Sequence, residues 1–441
     1  MLSKRGKMIG AGLLGLVILF GVLLLINGPK VAAGVKNSVV ARINQAINGK
    51  VEVGDVGFSV LGKVTVSRIS VTDLQNKPVL SCGEVVINYD FSDLIRGNFG
   101  LNVVRSVAVS EPKAVLIQDK NDHWNIEDLV KKTTDVKETQ AGSKPEDEQL
   151  AFRGQVVITN GSVDVTTPEG NRKFDNIAGK ISFAEYPKLN IEDTTAALAN
   201  QKLTAKGHVI LADPETQLNL AVGSTAFDPA AVNANLPLKG VAAVNLDVGG
   251  TAGKPLIKGS AQIPQGTFAD LPFSGATSSF RYSEKVLTID SLNGNVYGGT
   301  IGGTGTVIPG TLRYKMAFSG TRMDTALITE QAVQATADFN ADVDGTGNFD
   351  NAYAAGNFRL GAGTVSGVSF GSMTGQFRKA GGRLSFSNIV VDVAGRQLKA
   401  DAVMDGSNVR VKLGTVDTVI DNLKQSLTEK IPGKLPGIKL P

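Results

Sequence analysis

Hydrophobic positions near the start of this chain form one long uninterrupted run. Met8 to Ile26 contains no charged residue and consists of aliphatic residues, one Phe and interspersed Gly. A helix rises 1.5 Å per residue, so this run spans roughly 30 Å, the thickness of a hydrocarbon core. The pattern therefore predicts a transmembrane helix. Its predicted membrane-anchor residues are Met8, Leu13, Leu16, Ile18, Leu23 and Ile26.

Charges flanking this run predict its orientation. Lys4, Arg5 and Lys7 precede it, whereas mainly Lys30 follows it. The positive-inside rule then places the N-terminus in the cytoplasm and sends the rest of the chain across, into the periplasm of a bacterium. A cleaved signal peptide, with 31–33 as a small-residue cleavage site, is the alternative. The anchor is favoured because the run exceeds the 7 to 15 apolar residues usual in signal peptides.

The period of apolar positions changes twice after the anchor. Val31 to Ile47 carries branched residues at every fourth position and predicts an amphipathic helix that packs onto the first strands. Asn48-Gly49 is expected to end this helix, since both residues tolerate positive φ. From Lys50 onward the period is two, which predicts strands. The alternating apolar residues include Val51, Val53, Val64, Val66, Val85, Ile87 and Tyr89.

The second half of the chain contains an internal repeat. A shift of 97 residues brings identical residues together without a gap. The matched pairs include Gly259 with Gly356, Phe273 with Phe370, Phe280 with Phe377, Leu287 with Leu384 and Gly298 with Gly395. A looser earlier copy includes Phe174–Phe183. Within a copy, Asn293-Gly294 and Gly298-Gly299 are predicted to break the strands as tight turns.

These patterns predict seven segments. They are a cytoplasmic tip and anchor at 1–30, an N-terminal module at 31–130, a polar linker at 131–150, repeats at 151–227, 228–323 and 324–416, and at 417–441 either the start of a fourth repeat or a terminal cap. The short connectors that begin at Phe227, Met323 and Val416 open successive copies. Such spacing fits either the amino-terminal part of a longer protein, which is favoured, or a shortened chain with its own cap.

Composition narrows the function classes. The chain has 51 Gly, 6% aromatic and 20% charged residues, which is typical of many short turns and thin apolar faces. Its net charge of +4 is small and dispersed, so it does not indicate nucleic-acid binding. Cys82 is the only cysteine, which excludes an intrachain disulfide and a cysteine metal cluster.

Catalytic and metal-binding patterns are weak. His123 and His208 lack a nucleophile motif nearby, so no enzyme activity and no cofactor are predicted. Asn340 to Gly345 imitates the start of an EF-hand loop, but the twelfth position is Asn351 rather than Glu. We therefore predict a β-turn there and no metal site.

Three segments resemble the AsmA-like family, which includes TamB-type proteins. They read NQAINGKVEVGDVGFSVLGKVTVSRISVTD from Asn44, DKNDHWNIEDLV from Asp119, and NVYGGTIGGTG from Asn295. His123 stands where the family often has a small or basic residue. The resemblance implies a mainly β fold: a transmembrane helix, an amphipathic helix, and then an elongated, twisted, repetitive β-sheet curled into a groove, like a taco. It also implies phospholipid transfer between the inner and outer membranes.

From the residues alone, two arrangements of the apolar face of the repeats are possible. The sheet either closes on itself around a dry core or stays open as a trough that contacts something else. The resemblance favours the trough. Its predicted lining residues are Phe273, Phe280, Leu287, Ile289, Phe370, Phe377, Leu384 and Phe386.

Three functions follow as hypotheses. The leading one is an inner-membrane-anchored periplasmic lipid-transfer protein whose partners are membrane phospholipids and an envelope partner, and not nucleic acid. The alternative is a scaffold for outer-membrane protein biogenesis that works with an outer-membrane barrel. A polysaccharide-acting β-solenoid enzyme is disfavoured because the repeats lack convergent carboxylates.

Overall fold

The structure, a computed structural model, describes residues 40–414 except 42, 46, 60–61, 97–102, 122, 130–151, 169, 213–214, 233–236, 348–350 and 406–407. Within this part of the chain, 24 strands belong to one mostly antiparallel sheet and three more form a small sheet. The prediction of a mainly β fold is therefore confirmed.

Several predicted segments lie outside the described residues. They are the transmembrane span with all six of its named residues, the linker at 131–150 and the segment at 417–441. Of the predicted amphipathic helix, residues 40–41 and 43–45 are described and are helical. None of the helices in the described ranges has the length and apolarity needed to cross a membrane.

Contacts divide the chain into two compact units. The first comprises Met1–Ser224 with Leu246–Leu256, and the second comprises Thr225–Asn245 with Ile257–Pro441.

Strands of the first part of the chain are labelled in order. They are β1 (Lys50–Val53), β2 (Val56–Ser59), β3 (Lys63–Thr72), β4 (Pro78–Tyr89), β5 (Val104–Ser110), β6 (Lys113–Ile117), β7 (Gln155–Thr167), β8 (Gly170–Glu185), β9 (Lys188–Leu198), β10 (Gln201–Ile210) and β11 (Gln217–Phe227). A helix α1 (Phe91–Ile95) and a 3₁₀ helix (Asn125–Leu129) interrupt them. Strands β5 and β6 pair with β7 in parallel, and the neighbouring pairings are antiparallel.

A hydrophobic core forms on one side of β1–β8. Alternate residues of each strand point inward, so Val64, Val66 and Ile87 are at most 1% exposed. Non-strand segments cover this face, because Ile43 from the first helical segment and Ile126 from the 3₁₀ helix belong to the same core. The predicted period-two strands therefore carry a hydrophobic core here, which non-strand segments help to cover.

Strands of the second part follow. They are β12 (Leu238–Gly240), β13 (Ala242–Thr251), β14 (Lys254–Phe268), β15 (Leu271–Ser283), β16 (Val286–Val296), β17 (Gly299–Ile308), β18 (Arg313–Asp324), β19 (Val333–Gln334), β20 (Thr336–Thr346), β21 (Tyr353–Leu360), β22 (Gly363–Val365), β23 (Val368–Phe370), β24 (Ser372–Ala380), β25 (Arg383–Val393), β26 (Arg396–Asp405) and β27 (Asn408–Leu413). Two four-residue helices, α2 (Pro229–Val232) and α3 (Thr325–Ile328), lie in the two described connectors.

Strand register in the second unit repeats with the 97-residue shift. Phe280 pairs with Gly259 and Ile289, and 97 residues later Phe377 pairs with Gly356 and Phe386. Strands β16 and β17 reappear as β25 and β26 with the same lengths. Even the irregularity that follows Ile289 recurs after Phe386. The sequence repeat is thus a repeat of hydrogen-bond register.

Two turn predictions are wrong. Asn293-Gly294 lies inside β16, where Asn293 pairs with Gly302 and the strand continues to Val296. The break predicted at Gly298-Gly299 is displaced by one residue: the turn is Tyr297-Gly298, and Gly299 begins β17. The φ values of Tyr297 and Gly298, 48° and 73°, are the positive pair that a type I′ hairpin needs. Ala394-Gly395 does the same in the next copy.

The other wrong turn is the EF-hand-like segment. Asn340 to Gly345 lies within β20 and pairs with both neighbouring strands. Its polar residues alternate with apolar ones because they occupy opposite faces of a strand, as Asn340 and Asp342 are exposed while Ala341 is buried.

Candidate functional site

Strands β15–β18, β20, β21 and β24–β27 of the second unit share one apolar side, which we call the repeat apolar face. Residues directly paired across antiparallel strands point to the same side, so the register defines rows that cross the sheet. One row reads Phe280, Ile289, Gly305, Met316, Val343, Ala354, Lys379, Leu384 and Met404. The next reads Gly303, Phe318, Ala341, Gly356, Phe377, Phe386 and Ala402.

Six of the eight predicted groove residues lie on this face. Phe280 and Ile289 pair with each other, and Leu287 lies two residues before Ile289 on the same side. Phe377, Leu384 and Phe386 occupy the corresponding places one repeat later. The structure therefore places these six residues on the same, mainly apolar side of the second unit, where Lys379 is a charged exception in the first row.

The other two predicted residues are placed differently. Phe273 pairs with Gly266 at the far end of the β14–β15 pair. Phe370 pairs with Gly363 in the small sheet of β19, β22 and β23, and it is buried. The repeat is conserved in register at both sites, but Phe370 is separated from the rows of the main sheet because β22 and β23 pair only with each other and β19 among the described strands.

Large side chains on the repeat apolar face lie close above glycines of the adjacent strand. The nearest neighbour of a methyl group added at Gly303 would be Cδ1 of Phe318, 2.9 Å away. The same substitution at Gly375 would meet the Phe358 ring at 2.7 Å, and Gly305 lies in the same way under Met316. The Phe358 ring also packs edge-to-face with Phe386, with ring centres 5.8 Å apart. Glycines therefore make room for the large apolar side chains of this face.

Sequence reasoning did not find this arrangement. The participating glycines and rings are far apart in the chain, and only the strand register shows that each glycine lies under a particular ring. The one available signal is the recurrence of Gly and Phe at the 97-residue shift, as with Gly259 and Phe280.

The opposite side of the same strands is polar. Arg281 and Asp290 form a two-pronged ion pair there, with Nη2 donating to Oδ1 at 2.7 Å and Nε to Oδ2 at 2.9 Å. The guanidinium lowers the pKa of Asp290, and the carboxylate raises the pKa of Arg281. Further along, the Arg378 guanidinium lies 5.2 Å from the centre of the Tyr353 ring. Apart from Lys379 in the first row, the charged side chains named here lie on this polar side.

Packing leaves the repeat apolar face partly open. Among the described residues, the hydrophobic cluster on this face contains three buried residues, Tyr314, Met316 and Ala352, and Ala341 and Leu384 of the two rows are buried as well. The other five predicted groove residues on this face, Phe280, Leu287, Ile289, Phe377 and Phe386, are half-buried. An apolar surface of this kind in contact with water is typical of a binding site.

Candidate residues for chemistry are dispersed. His123 Nε2 lies 3.3 Å from Asp128 and 3.9 Å from Glu127, at the 3₁₀ helix. His208 lies within β10, paired with Asn190 and Asn219. Across the described ranges, no group of three or more His, Cys, Asp or Glu side chains is placed to hold a metal ion.

Comparisons of the chain with protein-family models, with curated proteins and with solved structures give no significant match.

Proposed function

We propose that this protein is a non-enzymatic lipid-transfer protein of the AsmA-like type. In this proposal it is anchored in a bacterial inner membrane by Met8–Ile26, its body lies in the periplasm, and the repeat apolar face carries phospholipid acyl chains toward the outer membrane. The observation that carries the proposal is the two-sided sheet of the second unit, with Phe280, Ile289 and Phe386 on a half-open apolar side and Arg281 and Asp290 on a solvated one.

Acyl chains suit this surface because methylenes need burial and no directed polar partner. Each buried CH₂ contributes about 0.8 kcal/mol, so affinity grows with the length of chain laid on the surface. Lipid headgroups, which are costly to dehydrate, would remain in water at the margin. A trough open on one side is the arrangement that satisfies both requirements.

Repetition of the apolar rows favours movement along the surface. The pair Phe280 and Ile289 recurs 97 residues later as the pair Phe377 and Phe386, at the same register. A hydrocarbon chain would then find similar contacts at successive positions, which limits trapping. Lipid supply or an envelope partner would set the direction of movement.

The proposal is tested by a charge placed on the apolar side. Leu287→Asp puts a carboxylate among the rows, whereas Thr288→Asp puts the same group on the polar side of the same strand. Both variants and the unaltered full chain are purified without added lipid, and bound phospholipid is quantified by mass spectrometry. We expect bound phospholipid in the unaltered chain and in Thr288→Asp, and a large loss in Leu287→Asp, because an unpaired buried carboxylate is strongly disfavoured.

Lipid release to acceptor vesicles is measured with the same three proteins. Equal transfer by Leu287→Asp and Thr288→Asp contradicts the proposal. A chain that carries no phospholipid but still supports assembly of outer-membrane barrels favours the scaffold function instead.

A further inference from the structure

An apolar cavity lies inside the first unit, apart from the rows of the repeats. Its volume is about 200 Å³, and its lining is almost wholly hydrocarbon. Side chains from the helical segment and from strands β1 and β3–β8 surround it, among them Ile43, Val53, Ile69, Cys82, Ala114 and Val163.

The cavity lining offers a bound molecule almost only hydrocarbon contacts. No side-chain polar atom buried in the described ranges lacks a hydrogen-bond partner, so no unsatisfied group points into the cavity to orient a polar ligand. Burial raises the pKa of the Cys82 thiol, which keeps this lining group neutral. An apolar cavity of about 150 Å³ can hold a benzene-sized guest, so this one has room for a short run of methylenes.

The position of Ile43 in the chain indicates where a bound hydrocarbon would come from. Ile43, which lines the cavity, follows the predicted membrane span after only 16 intervening residues, 27–42. A fully extended chain of that length reaches about 60 Å at most, so a span at Met8–Ile26 would keep Ile43 within about 60 Å of the end of the span.

We infer that this cavity binds the end of one acyl chain of a membrane phospholipid and is the position at which lipid is loaded. The inference rests on the proposed function and adds a second hydrocarbon site, in a different unit from the repeat apolar face. Loading here would free one tail from the bilayer before the lipid reaches the repeats.

The test uses the full chain in vesicles of phosphatidylethanolamine and phosphatidylglycerol. These contain a phospholipid probe with a photoreactive diazirine near the end of one acyl chain. After illumination, digestion and mass spectrometry, we expect adducts on peptides that carry Val53, Ile69 or Cys82 as well as on peptides of β15–β27. Alkylation of Cys82, the only thiol, should also be slower in vesicles than in lipid-free detergent.

A matched pair of substitutions tests the cavity itself. Ala114→Phe fills it, whereas Ala108→Phe adds the same ring to a neighbouring strand at a residue outside the lining. We expect a several-fold loss of adducts on the cavity peptides in Ala114→Phe, and no such loss in Ala108→Phe. Unfolding transitions followed by circular dichroism check that both variants fold. If Ala114→Phe does not fold, the positions of the lipid adducts on the unaltered chain test the inference.

The outcomes separate the two proposals. Adducts confined to β15–β27 overturn the loading site and leave the proposed function standing. Absence of adducts from both regions contradicts both. Crosslinks from cavity residues to residues 1–39 in place of lipid adducts show that the chain itself fills the space, and also overturn the inference.

Discussion

The strands around β1–β8 and the strands of the repeats share one alternating pattern but have different surroundings. In the first region, nineteen buried residues among those described form one core, and segments outside the strands contribute Ile43, Ile47, Ile126 and Leu129 to it. On the repeat apolar face, the described cluster has three buried residues, Ala341 and Leu384 are buried as well, and the described helices α2 and α3 have four residues each. Covering segments, more than strand sequence, decide whether an apolar face becomes a core or a site.

The largest expected effect separates these two regions directly. Ile87→Ala removes most of a side chain that is 1% exposed in the hydrophobic core of β1–β8. We expect the free energy of unfolding to fall by about 2–5 kcal/mol, because a cavity remains in packed surroundings. Ile289→Ala, at a half-buried site, should cost only about 1 kcal/mol. Chemical denaturation of the two variants measures the difference, and equal losses would show that the repeats enclose a core of the same kind.

A second substitution tests whether the Phe318 ring lies over Gly303 on the repeat apolar face. Gly303→Ala forces the Phe318 ring to shift, so we expect a loss of about 1–3 kcal/mol in the free energy of unfolding from overpacking. Gly302→Ala is the control, because its added methyl group would meet Ser319 Oγ at an ordinary 3.4 Å on the polar side. Denaturant midpoints that do not differ between these neighbours would refute the placement of the Phe318 ring over Gly303.

Acid should weaken the first region through Asp90. Hydrogen bonds from the Ser92 hydroxyl and from Arg105, together with backbone N–H groups, hold the pKa of Asp90 below its usual range. A carboxyl group with a lowered folded-state pKa stabilises the fold above its ordinary pKa of about 4, and the stabilisation is lost as the pH falls further.

Asp90→Asn should therefore flatten the decline in stability between about pH 5 and pH 2. Unfolding free energies across this range measure it, with Asp55→Asn, at an exposed ion pair, as the comparison. A decline as steep in Asp90→Asn as in the unaltered chain would rule out this role for Asp90.

The smallest effect is expected on the polar side of the repeats. Arg281→Gln breaks the ion pair with Asp290, but both side chains are solvated and their interaction is screened. We expect no measurable change in the denaturant midpoint and no change in bound lipid. A marked loss of lipid in this variant would mean that the polar side takes part in binding.

Sequence periodicity predicts much of the fold. Apolar residues at every second position, Val85, Ile87 and Tyr89, predict β4. The 97-residue shift predicts that Phe280 and Phe377 occupy equivalent places. Turns are less predictable, because Asn293-Gly294 has a favourable composition and yet is held in β16 by pairing with β17. Strand register determines whether such a dipeptide forms a turn or stays within a strand. Register in turn depends on neighbouring strands that are distant in the chain.

The candidate site is predictable only in part for the same reason. Hydrophobic alternation identifies Leu287, Ile289 and Phe386 as inward residues, and the structure places them on one face. The rings over glycines and the cavity beside Cys82 depend on contacts between several strands, so no local pattern reveals them. The anchor residues Met8 to Ile26 remain a prediction.

Crosslinking at two adjacent positions tests the central claim most directly. A photoreactive p-benzoylphenylalanine is placed at Ile289, on the repeat apolar face, or at Thr288, on the polar side, in the full chain within intact cells. We predict a phospholipid adduct at position 289 and none at 288, identified by mass spectrometry. Lipid adducts at both positions alike, or at neither, would contradict an apolar face that carries hydrocarbon.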